Sequence, residues 1–157
     1  QAEKEEKERE RTVAEAKKKE KIKEIVATEK DVVKDEKDRL VIKTEPIYFD
    51  YDLWYIRRDS KPILDRVVDL MNKYPNMIVE IGSHTYRRGG ITYNKVLSGN
   101  RANSTRDYII DKGINPKRIF AKGYGESVPI VKCKTDEACS EEEHELNRRS
   151  EFVIKNL

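Results

Sequence analysis

Asn94, Ser98 and Arg101 stand four and seven residues apart, the intervals that bring side chains onto one face of a helix. They follow directly on the loop His84 to Gly90, in "GSHTYRRGGITYNKVLSGNRA". A polar stripe of this kind, next to the backbone N–H groups of a helix start, suits a carboxylate ligand. The guanidinium of Arg101 can grip both oxygens, and the helix dipole adds attraction. The same spacing also describes an ordinary solvated helix face, and spacing alone does not decide between the two. Catalytic chemistry is harder to assemble. The chain has two histidines, His84 and His144, and neither falls in a recognisable nucleophile and base motif. A lone His84 after a strand reads as a structural hydrogen-bonding group. "GYGES" lacks the strand-to-helix context and the Lys of a phosphate loop, so it reads as a tight turn.

The elements that must position this stripe can be read along the chain. "RLVIKTEPIYFDYD" is rich in β-branched and aromatic residues and predicts a strand ending near Phe49. In "DSKPILDRVVDLMNKYP", Asp59 or Ser60 is placed as a cap and Pro62 in a first turn. Ile63, Val67, Leu70, Met71 and Tyr74 then recur at helical spacing before Pro75. "NMIVEIGSH" predicts a buried strand. A second helix is expected from about Thr92 to Lys112, with Leu97, Thr105, Tyr108 and Ile109 inward and Gly113 as its stop. Gly99 inside it costs roughly 1 kcal/mol relative to Ala. "RIFAKGYG" and "NRRSEFVIKNL" close the series as strands, with Phe152 and Ile154 on one face and an irregular loop before the last. The expected fold is α+β: a two-layer βαβαβ(loop)β sandwich, with a mixed sheet, helices on one face and a charged extension in front.

That extension is residues 1–39, a Lys/Glu run in a chain that is 40% charged. Such a composition predicts a solvated helix, a linker or a disordered arm, with the domain occupying 40–157. Because the chain opens at Gln1 within the charged run, it is expected to be a piece of a longer protein. The formal net charge of +3 arises from nearly balanced acids and bases. With no dense basic patch interleaved with aromatics, nucleic acid is not an expected partner. No apolar run approaches the roughly 20 residues of a membrane-spanning helix. Cys133 and Cys139, in "VKCKTDEACSEEEHE", are six apart. A disulfide closing a small polar loop fits this spacing better than two free thiols, or than a zinc site completed by His144. It would imply an oxidising compartment.

The motifs "IYFDYD", "VEIGSHT", "YNKVLSGNRANSTRDYIIDKGI", "RIFAKGYGES" and "ELNRRSEFVI" occur in this order. Together they resemble the OmpA-like peptidoglycan-binding domain of OmpA porins, Pal lipoproteins and flagellar stator proteins, over about Ile42 to Leu157. The cysteine insert is similar to the Bacteroidetes branch, where such domains also occur in the PorE-type subunit of the type IX secretion apparatus. The resemblance implies a periplasmic, outer-membrane-associated module. It would bind the peptide stem of peptidoglycan non-covalently, through diaminopimelate, with no reaction and no cofactor. Asn94 and Arg101 match the family's Asn and carboxylate-holding Arg. Asp52 and Arg148 or Arg149 match positions lining the same groove, Thr85 supplies a loop contact, and Ser98 completes the helix stripe.

Tyr86 occupies the position of the family's ammonium-binding Asp. Losing a carboxylate from a charge-assisted contact costs on the order of 1.5–3 kcal/mol, and Arg87 and Arg88 add cationic charge nearby. Either the Tyr86 ring replaces the salt bridge by a weaker cation–π contact of roughly 0.5–2 kcal/mol, or it points to solvent and binding is weak. Two rival functions follow: an OmpA-like fold serving as a protein-interaction module with peptidoglycan binding lost, and a wall amidase. The amidase reading lacks any visible zinc-ligand set or nucleophilic pair.

Overall fold

The computed structural model describes residues 1–86 and 90–157. The charged N-terminal stretch forms one long helix, α1 (Ala2–Thr28), exposed along nearly its whole length. Its last turn is different. Ile25 is 2% exposed within the core, and Glu29, just beyond, accepts hydrogen bonds from Lys73 and from the Tyr74 hydroxyl. The chain then makes a short hairpin of β1 (Val32–Lys34) and β2 (Leu40–Ile42). The domain start expected near Leu40 is therefore corrected, because the sheet begins at Val32, whose side chain is fully buried. A segment dominated by Lys and Glu can still deliver a few apolar side chains to a core built elsewhere.

The strand expected to run to Phe49 ends at Ile42. Residues 43–57 form an irregular crossing segment, which fits a stretch interrupted by Pro46. A single 3-10 turn (Arg58–Ser60) leads into α2 (Lys61–Lys73). Ser60 stands at the N-cap position without a side-chain capping bond, so the start rests on Pro62, whose fixed φ suits a first turn. Leu64, Val67, Val68 and Met71 form the buried face of α2. β3 (Ile78–His84) follows, then α3 (Ile91–Asp111) and β4 (Ile119–Gly125). Gly113, at φ +106°, turns the chain out of α3. The segment expected to be an irregular loop contains a further short helix, α4 (Glu141–Asn147). Ser140 and Glu143 start it with a reciprocal capping box.

The last strand, β5 (Ser150–Asn156), is inserted in the middle of the sheet, giving the order β1-β2-β5-β3-β4. Among the described residues only the β3–β4 pair is parallel. This central position explains why Phe152, Val153 and Ile154 are all buried, where only Phe152 and Ile154 were expected on an inner face.

α3 packs closely on β4. A Cβ added at Gly123 would lie 2.2 Å from the Gly99 nitrogen and 2.5 Å from its Cα, so only glycine at 123 permits this approach. The buried Ser98 hydroxyl accepts from the Gly125 N–H (2.9 Å), fixing the depth at which α3 sits.

Candidate functional site

The irregular segment between β2 and α2 makes a turn at 50–53, with the Leu53 N–H bonded to the Asp50 carbonyl (3.0 Å). Asp52 adopts a left-handed φ of 57° within it. The turn's carbonyls face α3. Arg101 donates from Nε to Leu53 O (3.0 Å) and from Nη2 to Asp50 O (3.3 Å), and its guanidinium lies 5.1 Å from the Phe49 ring centre. Burial lowers the Arg101 pKa, a shift the nearby Tyr93 and Asp52 oppose. No hydrogen bond from its Nη1 is formed among the described residues. The cation is thus pre-aimed and partly desolvated, as a carboxylate receptor should be.

The loop after β3 supplies the opposite wall. His84 exchanges both backbone bonds with Arg149, and the Thr85 N–H donates to the Gly125 carbonyl (2.8 Å). This ties the loop to the segment before β5 on one side and to the end of β4 on the other. Asn94, one turn into α3, donates from its amide to the Tyr86 carbonyl (3.4 Å). Asp52, Thr85, Tyr86, Asn94, Arg101, Arg148 and Arg149 all line one groove of about 270 Å³, together with Tyr48, Phe49, Tyr93 and Glu145.

Ser98 is not among them. Ser98 stands between Asn94 and Arg101 but is fully buried, where it accepts from the Gly125 N–H and donates to the Lys95 carbonyl, so it serves the packing of α3 rather than the groove. Arg149 lines the groove, yet its guanidinium is spent on Glu151 (2.6 Å) and the Val128 carbonyl (2.9 Å). Arg148 pairs with Glu141 (2.5 Å) and lies over the Tyr86 ring at 4.6 Å. Asp52 accepts from the Tyr93 hydroxyl, a contact that sequence reasoning missed. The IYFDYD motif and Tyr93 both carry the polar groups needed, but their meeting depends on how the 43–57 segment crosses.

The Tyr86 ring lines the groove instead of pointing to solvent. Its ring is flanked by Arg148 and by His144, whose ring centre is 5.0 Å away. The side chain lines the groove, and a cation of the chain itself takes one face. The charges expected from Arg87 and Arg88 lie outside the described residues.

The histidines sit away from catalytic partners. His84 turns to the outer face of the sheet, stacked on Tyr124 at 4.8 Å, with both ring nitrogens lacking a hydrogen-bond partner. Burial, reinforced by Arg149, lowers its pKa to about 4. The expected role as a structural hydrogen-bonding group therefore falls to the His84 backbone, while the ring packs. His144 bonds the Asp136 carbonyl (2.9 Å). Cys133 and Cys139 form a disulfide, which resolves the three alternatives left by their spacing. Asn147 clamps the same insert by accepting from the Ile130 and Val131 N–H groups and donating to Val131 O.

Comparison with known proteins agrees with this architecture. The chain is 37% identical over 117 residues to the photosystem I P700 chlorophyll a apoprotein A2 of Gloeobacter violaceus, covering 74% of this chain and 13% of that protein. It is 36% identical over 108 residues to the peptidoglycan-associated lipoprotein of Rhizobium meliloti, covering 69% of this chain and 58% of that protein. The chain therefore spans less than two thirds of either relative. Among solved structures, the cell wall anchor of the T6SS from Pseudomonas aeruginosa superposes with a TM-score of 0.65 at 22% identity, over 87% of this chain and 94% of the other. That likeness establishes a shared fold. The family model matches residues 48–143, which include the 50–53 turn, β3, the loop at Thr85, α3 and β4, and the chain belongs to the OmpA family.

Proposed function

We propose that this domain binds the peptide stems of peptidoglycan non-covalently and so anchors an outer-membrane protein or complex to the cell wall. The observation that carries the proposal is the convergence of Asp52, Thr85, Asn94 and Arg101, from three separate elements (the 50–53 turn, the loop after β3 and α3), on one groove. Arg101 is the carboxylate receptor, held in aim by the 50–53 carbonyls. Asn94 stabilises the loop that faces it. Diaminopimelate is the stem residue that fits, since its free end offers a carboxylate and an ammonium. The similarity to a peptidoglycan-associated lipoprotein of Rhizobium and to a cell wall anchor of Pseudomonas supports the same class of ligand. A disulfide suits the oxidising periplasm.

No reaction is assigned, because the two histidines and the groove's hydroxyls form no nucleophile and base pair among the described residues. A narrower reading, membership of a PorE-type subunit in a type IX secretion apparatus, rests on the cysteine insert alone. A second function, a protein-interaction module with weakened wall binding, is favoured by one observation: where an acid would meet the ammonium, Tyr86 carries Arg148.

Co-sedimentation with purified sacculi tests the proposal. The domain should pellet with the wall and be released by soluble diaminopimelate muropeptide. A domain that stays in the supernatant, or that pellets without competition, supports the protein-interaction reading.

A further inference from the structure

The turn whose carbonyls aim Arg101 also carries an exposed aromatic rim. Tyr51, 86% exposed, and Tyr93 line the groove. Leu53, Trp54 and Tyr55 continue the chain out of the turn and are all exposed, Trp54 at 46%. Large apolar side chains scattered singly over a surface call for no explanation, but a run of them beside a binding groove marks a contact surface. The rings are held in place. The Tyr55 hydroxyl donates to Asp50, which also accepts from Arg57 (3.2 Å), and the Tyr93 hydroxyl donates to Asp52. Arg101 fixes the same turn through the Leu53 and Asp50 carbonyls. Rings ordered before a ligand arrives lower the ordering cost of binding.

The rim mixes flat apolar faces with phenol and carboxylate oxygens. A pyranose ring matches both, since its C–H face lies on an aromatic ring while its hydroxyls meet the oxygens. A lipid surface matches less well, because Asp50 and Asp52 would be desolvated along with the rings. The wall supplies a sugar in reach of this rim. Diaminopimelate stands third in the stem, so two residues and the lactyl link separate it from the glycan. At no more than roughly 3.6 Å per residue, a stem seated at Arg101 leaves its sugar on the order of 10 Å away. We propose that Tyr51, Trp54 and Tyr55 form a shelf for the glycan strand, stacking on the sugar that carries the stem held at Arg101. The proposal rests on the peptidoglycan reading and adds a second part of the same ligand. The signal in the sequence is the aromatic run "FDYDLWY", left exposed because the preceding strand ends at Ile42.

The test uses two probes: a diaminopimelate muropeptide carrying its disaccharide, and the same stem peptide without sugar. In calorimetric titration the native domain should bind the muropeptide about tenfold more tightly, which is what burying roughly 50 Å² of apolar surface supplies. Trp54 is the single tryptophan of the chain, so its fluorescence reports on the shelf. Its emission should shift on adding the muropeptide and stay unchanged with the sugar-free peptide. Trp54→Ala should bring the muropeptide down to the affinity of the sugar-free peptide, whose own affinity is unaltered. Trp54→Phe, which keeps a ring face, should retain most of the preference. The proposal is overturned if Trp54→Ala weakens both probes equally, or if the muropeptide leaves Trp54 emission unchanged. Equal binding of the two probes by the native domain also overturns it and leaves the rim to a protein partner, with the peptide groove intact. If the native domain binds neither probe, the peptidoglycan reading itself fails and this proposal with it.

Discussion

Adding one methyl group at either side of the α3–β4 contact should have opposite effects. At Gly123 the new Cβ would meet main-chain atoms of Gly99 at 2.2 and 2.5 Å and the Ser98 hydroxyl at 2.6 Å. No rotamer relieves a clash with backbone, so α3 must lift from the sheet, and the Ser98 to Gly125 bond stretches with it. Overpacking costs about 1–3 kcal/mol, and a backbone clash belongs at the upper end. At roughly 2–4 °C per kcal/mol for a chain of this size, Gly123→Ala should lower Tm by about 6–12 °C. At Gly99 an added Cβ has nothing within 4 Å. Gly99→Ala should therefore recover helix propensity of about 1 kcal/mol and raise Tm by about 2–4 °C. Thermal denaturation followed by circular dichroism at 222 nm measures both. A Gly123→Ala protein melting within a degree of native, or a Gly99→Ala protein melting lower, would refute this account of how α3 is seated. Because α3 carries Asn94 and Arg101, Gly123→Ala should also weaken muropeptide binding.

Removing the disulfide with Cys133→Ser/Cys139→Ser, or by reduction, should cost about 2 kcal/mol by the loop-entropy estimate for so short a loop. Melting curves with and without reductant check this, and identical curves would contradict it. Acidification should destabilise the fold well before most carboxylates titrate. His84 has its folded pKa lowered by burial to about 4 from 6.5, so between these values the unfolded chain binds the extra proton. Stability is then fully present above pH 6.5 and is lost as pH falls toward 4, at about 1.4 kcal/mol per unit. The charges of Arg149, Arg39 and Lys37 act in the same direction as burial on this ring, and that of Glu151 opposes them. Burial raises the Glu151 pKa, but the hydrogen bond and charge of Arg149 outweigh it and leave it lowered, so its contribution is lost only below about pH 4.5. A His84→Gln variant should flatten the upper window alone. Tyr86→Asp should raise muropeptide affinity by no more than about tenfold, because Arg148, now at 4.6 Å over the ring, competes for the new carboxylate. A titration showing affinity below native would contradict that.

Most of the fold was legible because its signals are local. The short apolar run in "NMIVEIGSH", the spacing in α2 and Gly113 after α3 each report on a few neighbouring residues. What the sequence concealed depends on distant partners. Val32 joins the sheet because Ile42 and then Phe152 lie beside it, and nothing in a Lys/Glu run announces that. The lining of the groove was legible in the same measure. Asn94 and Arg101 were identifiable from one helix face, whereas Ser98, on that same face, turned out to serve the sheet through Gly125. The surroundings of Tyr86 could not be anticipated, since Arg148 and His144 reach it only after the insert has folded.

The central claim, that Arg101 makes this groove a receptor for the carboxylate of a wall peptide, is tested most directly by calorimetric titration with a diaminopimelate muropeptide. The native domain is compared with Arg101→Ala. The account predicts saturable binding to the native domain and a loss of at least ten- to a hundredfold in the variant, as expected for a charge-assisted contact of about 1.5–3 kcal/mol. Equal affinity in the two proteins, with both folded, would contradict it.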